Sequence, residues 1–212
     1  MIESTGKQNY IRVLDFRNEN GEFVFEFQPN TEDDIKISAY LVYIMIKRIS
    51  SGLPNPDLIQ EFYEDFMKQI MFYKVNNKNA IFTDLTIKFY IDYNGGSGAP
   101  VVSVRKYENR AEYLNEFTVI NFQKKLDSLA FAYKARTDTG MYKASFLIYF
   151  LLLQSGLYAS TEYVNDLYIT FLDAFKEVNV KKPDQVIGCT VFTYFLDIKH
   201  GNGKPEIKAR EE

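Results

Sequence analysis

The chain has 212 residues, room for one large domain or two small ones, and its 46% hydrophobic and 25% charged residues are the balance of an ordinary globular protein. A net charge of −3, spread evenly along the chain, disfavours a duplex-DNA binder held by phosphate contacts. The single cysteine, Cys189, excludes an intramolecular disulfide, and the most apolar run, Ala144 to Leu153, is about half the length of a membrane span.

Residues 10–16 and 22–28 read as strands. Phe23, Phe25 and Phe27 alternate with Glu22, Val24 and Glu26, and Asn20-Gly21 supplies the positive-φ chemistry of a hairpin turn. Thr31 followed by Glu32, Asp33 and Asp34 marks a helix start, with a capping oxygen and negative charge at the positive dipole end. That helix, about residues 32–50, is apolar on nearly every face from Ala39 to Ile46, so it needs cover on all sides. Gly52, Pro54 and Pro56 stop it.

A second helix, about 56–74, turns Leu58, Ile59, Phe62, Phe66, Met67 and Ile70 inward and Glu61, Glu64, Asp65 and Lys68 outward. A closing hairpin spans about 83–93 and 101–107. Ile87, Phe89, Ile91 and Tyr93 form its inner face, and Lys88, Tyr90 and Asp92 its outer one. Asp92, before the glycine turn, suits an Asx-type role, and Asp197 repeats it.

The same order then recurs about 105 residues on. Residues 10–40 lie over 116–146 without a gap: Val13 on Val119, Phe16 on Phe122, Phe25 on Phe131, Phe27 on Tyr133 and Thr31 on Thr137. Further along, Tyr63 falls on Tyr168, Phe66 on Phe171, Asp92 on Asp197 and Gly98 on Gly203. Helices are expected at about 139–154 and 160–177, and the charged last strand, Glu206 to Ala209, as a frayed edge or disordered tail. The expected fold is α+β, a tandem duplication of a ββααββ unit. Antiparallel sheets carry helices on one face, and the two first helices cover each other near a pseudo-twofold axis. Residues 1–109 form the first repeat, 116–212 the second and 110–115 a linker.

Chemistry is sparse. His200 lies beside Gly201 with no second histidine for a zinc site, and Cys189, in an expected strand, lacks a nearby base and reads as a buried or half-buried thiol. The glycine-rich turns run from strand to strand, not into a helix that could cradle phosphate. The acids Glu61, Glu64 and Asp65 share one helix face and read as a solvated surface. No catalytic residue, metal ligand or cofactor is expected.

The residues singled out for binding are Tyr10, Arg12, Lys88, Tyr90, Arg105 and Tyr107, aromatics interleaved with cations on strands, together with Lys124, Lys125 and Arg136, where the repeats differ. The expected function is non-enzymatic: a cytoplasmic adaptor, accessory protein or inhibitor, monomeric or homodimeric, that grips a protein partner. Abundant Lys, Asn, Ile, Phe and Tyr point to an AT-rich genome, such as that of a bacterium or phage. Single-stranded nucleic acid stacked on the sheet aromatics is one alternative. A small-molecule sensor or enzyme with a pocket between the repeats is another.

Overall fold

The computed structural model describes residues 10–49, 55–94, 98–109, 116–125, 128–154, 160–197 and 204–212. The expected linker, the glycines at 52 and 156 and the His200 turn lie outside them. The fold is α+β, with two compact units that each carry four antiparallel strands and two long helices.

The first unit begins with β1 (Ile11–Glu19) and β2 (Glu22–Gln28), joined by Asn20 and Gly21, both at positive φ (54° and 79°). Gly21 is required there for a second reason. A Cβ on it would lie 2.1 Å from the Asn94 amide, which sits over the turn. The helices α1 (Glu32–Ile49) and α2 (Asp57–Asn76) follow, then a 3-10 turn at Phe82–Asp84, β3 (Leu85–Asp92) and β4 (Val101–Lys106). The strand order is β4-β3-β2-β1. α2 lays Phe62, Phe66 and Ile70 on the inner face, where Phe66 meets Phe27 and both Phe62 and Phe66 meet Phe89 edge-on. α1 packs against α2, and its residues from Ala39 to Ile46 are buried except for Tyr40.

The second unit has β5 (Phe117–Lys124), β6 (Ser128–Ala135), α3 (Asp138–Gln154), α4 (Tyr163–Lys181), a 3-10 turn at Ile187–Cys189, β7 (Thr190–Asp197) and β8 (Glu206–Glu211), in strand order β5-β6-β7-β8. Here Phe171 of α4 meets Tyr133 and Phe192 of the sheet, and α3 packs on α4, β5 and β6. Each unit's first strand carries an irregularity at a corresponding place, between Val13 and Asp15 in β1 and between Val119 and Asn121 in β5. The extra residue lets both Val13 and Leu14, and both Val119 and Ile120, be buried.

Both helix starts are capped as their threonines require. Thr31 Oγ1 accepts the Asp34 amide at 3.3 Å, while Asp34 accepts the amides of Thr31 and Asn30 at 2.8 and 3.0 Å. Thr137 Oγ1 likewise accepts the Gly140 amide at 3.3 Å. Asp92 takes its expected Asx role, accepting the Asn94 amide at 2.8 Å.

Two expectations are corrected. The C-terminal segment is an ordered strand to Glu211, not a frayed tail. β8 packs against α4, the Glu212 amide donates to the Cys189 carbonyl, and Glu212 pairs with Lys134 at 2.6 Å. Cys189 is not a buried strand residue. It ends a 3-10 turn and is exposed.

Candidate functional site

Five of the nine residues singled out for binding gather on the outer face of the first unit's sheet. Arg12 of β1 donates to Tyr107 Oη at 2.9 Å, with its guanidinium carbon 5.5 Å from that ring's centre, and to Gln28 at 3.3 Å. Lys88 of β3 lies 5.9 Å from the Tyr90 ring centre. Tyr90 donates to Glu22 at 3.0 Å, and this bond holds its phenol above the usual pKa range. Arg105 of β4 reaches across β3 to Glu26 of β2, with its Nε 3.2 Å from the carboxylate.

This face differs from the half-solvated one that strand alternation implies. Val24, Glu26 and Thr86 all point outward, yet they are only 2%, 6% and 0% exposed. The Arg105 head over Glu26 shows part of the reason: a long cationic side chain lies across the sheet and covers what is beneath it. A carboxylate this buried requires its cation. The face is thus a set of closed pairs.

The other four residues are not brought together with these. Tyr10 precedes β1 and is 41% exposed. Lys124 and Lys125 stand where the β5–β6 hairpin turns, the Lys125 amide donating to the Ser128 carbonyl at 2.9 Å. Arg136 follows the opposite end of β6, 3.5 Å from Glu116. The full length of a strand separates the two lysines from Arg136.

The second unit's outer face has another chemistry. Gln123, Ala130, Phe195 and Glu206 form one row across β5–β8, and Asn121, Ala132, Thr193 and Lys208 the next. Ala132 aligns with Glu26 and Thr193 with Lys88, so no carboxylate is buried at the centre of this face, and Phe195, 43% exposed, lies between Ala130 and Glu206, which pairs with Lys208 at 2.9 Å.

The most exposed apolar cluster lies elsewhere, on the last turns of α2, where Met71, Phe72 and Val75 are 61%, 73% and 66% exposed. Sequence reading missed it because the six inward residues of α2 already account for its amphipathicity. The signal is nonetheless present, since Phe72 falls four residues after Lys68 and so continues the stripe that carries Glu61 and Asp65. The aligned positions in α4 are Lys176, Glu177 and Val180.

Among the described residues no group of three or more His, Cys, Asp or Glu is placed to hold a metal ion, and no helix is long and apolar enough to cross a membrane. Comparison with family models, with curated proteins and with solved structures returns no match.

Proposed function

We propose that this is a non-enzymatic binding protein, built by duplication of a ββααββ unit, that recognises a protein partner. The observation that carries the reading is the exposed trio Met71, Phe72 and Val75 on α2. Clustered aromatic and Met side chains are the residue types that anchor protein interfaces, and a soluble surface gains nothing from displaying them otherwise. The duplication is supported by the aligned strand irregularities, the 3-10 turn before the third strand of each unit and the threonine caps. Paired replacements support it too. Where Phe27 and Ala39 stand in the first unit, Tyr133 and Ser145 stand in the second, and Phe89 with Leu58 corresponds to Tyr194 with Tyr163. In each pair the second unit adds one hydroxyl on a strand and one on a helix.

A photo-crosslinking residue placed at position 72, with a control at the aligned Glu177, tests the function in extracts of the source cells. The expected result is a discrete protein adduct from position 72 that position 177 does not give. Adducts to nucleic acid alone, or equal labelling from both positions, would overturn the reading.

A further inference from the structure

From the free edge of the first unit's sheet we infer a second site of association: β4 pairs antiparallel with β4 of a second copy of this chain, about a twofold axis at Ser103. The inference is independent of the α2 surface and goes beyond the function proposed above.

The backbone sets what this edge accepts. Among the described residues β4 has a strand on one side only. The Tyr107 amide donates to the Asp84 carbonyl at 2.7 Å, and the β3–β4 register carries that bonding on to Arg105, Ser103 and Val101, every second residue. The amides and carbonyls of Val102, Val104 and Lys106 therefore point away from β3. A row of donors and acceptors at that spacing is matched by another extended strand.

The side chains leave the edge open. In the second unit the Glu212 amide donates to the Cys189 carbonyl, so the same phase turns the backbone of Ile207, Ala209 and Glu211 outward from β8. There the strand reads Glu206-Ile207-Lys208-Ala209-Arg210-Glu211, charged at four of its six positions, which guards an edge against pairing. β4 instead reads Val101-Val102-Ser103-Val104 before its first charge. It has no proline and no bulge against β3, and both Val101 and Ser103 are exposed. Arg105, the one charge on its outer face, is drawn back across the sheet to Glu26.

The edge is also complementary to itself. Its outward groups lie on even-numbered residues, so a twofold can pass through Val102, Ser103 or Val104 inside the uncharged run. In all three registers Arg105 and Lys106 meet uncharged residues and never each other. Like charges come together only when the axis moves to Arg105 or Lys106. An axis at Val102 pairs only three β4 residues of each copy, and one at Val104 sets Lys106 against Val102. An axis at Ser103 pairs five. It sets Val102 against Val104 twice on the face that α2 covers, and Ser103 against Ser103 on the other. The interface is thus isologous, each copy supplying the strand that the other lacks.

The test uses the full chain carrying Cys189→Ala, which removes the exposed native thiol. Sedimentation from micromolar to submillimolar protein should show a monomer–dimer equilibrium. Ser103→Lys sets like charges against each other at the axis from an exposed position, and should weaken dimerisation at least about tenfold. Val104→Pro removes an outward amide, which an edge strand tolerates, and should weaken it as much with an unchanged circular-dichroism spectrum. Ser103→Cys should form a disulfide-linked dimer on oxidation, because residues opposed in a non-hydrogen-bonded pair lie about 4.5 Å apart between Cα atoms. Lys208→Cys, its counterpart on β8, should not. A monomer at every concentration, wild-type dimerisation in Ser103→Lys, or no more cross-linking from position 103 than from position 208 overturns the inference.

Discussion

At the scale of single residues, the structure reverses two rules that the sequence invites. Alanine is worth up to about 1 kcal/mol over glycine inside a helix. Gly140, in the first turn of α3, is an exception, because a Cβ there would lie 2.4 Å from the Glu116 carbonyl oxygen. Gly140→Ala should therefore lower stability by about 1–3 kcal/mol in urea unfolding, and a stabilised variant would refute the close approach. Glu26 is the second case. Its alternation with Phe25 and Phe27 marks it as solvent-facing, and nothing in the local sequence says that Arg105 closes over it. The pairing depends on the register of three strands, which periodicity does not supply. Arg105→Leu leaves that carboxylate buried and unpaired, and should cost about 2 kcal/mol, whereas the double variant with Glu26→Leu should recover most of the loss. The pairwise coupling from the four unfolding curves is the deciding quantity.

The elements were the most legible level, and the reason is that their signals are local. Both hairpins, both helix starts and the inner aromatic faces follow from alternation, threonine caps and turn glycines. The 3-10 turns were not legible, and β8 was read as a strand but not as an ordered one, since its order depends on contacts far along the chain, such as α4 against β8. The α1–α2 contact shows another such dependence. Tyr63 of α2 donates to Glu32 of α1 at 2.6 Å, and Lys36 lies 5.6 Å from the Tyr63 ring centre. In α3 and α4 the aligned contact is Tyr142 against Tyr168, an edge-to-face pair at 5.5 Å that carries no charge. The Glu32 bond raises the Tyr63 pKa to about 12, and Tyr63 in turn lowers that of Glu32. A phenol whose folded pKa is raised contributes its stability below the unfolded value of about 10. That contribution is lost as pH climbs toward about 12. The lowered Glu32 adds an opposite limb, present above the carboxylate's unfolded pKa and lost in acid. Both groups are solvent-exposed, so the effect is small. Thermal melts of the wild type and Tyr63→Phe should differ most near neutral pH and converge at both extremes. A difference that grows above pH ~10 would show that the bond does not act this way.

At the scale of the whole molecule, charge placement argues against the nucleic-acid alternative to the proposed protein partner. Affinity for a polyanion comes from cations that neutralise phosphates and release counterions. The net charge of −3 offers no surplus, and Arg105 is already bonded to a carboxylate while Arg12 is spent on Tyr107 and Gln28. A phosphate would have to displace those partners, exposing the buried Glu26 to repulsion. The aromatics are engaged as well, because stacking a base on Tyr90 or Tyr107 must break the bonds to Glu22 or Arg12. Fluorescent single-stranded oligonucleotides should therefore show no salt-dependent binding at micromolar protein. The result that would sink this expectation is an affinity falling steeply between about 50 and 200 mM salt. The Phe195 face provides the internal control, being an outer sheet surface where an aromatic is exposed between Ala130 and Glu206. Weak stacking there would persist at high salt and vanish in Phe195→Ala, so the salt slope, rather than binding alone, separates a phosphate-reading protein from one that merely exposes a ring.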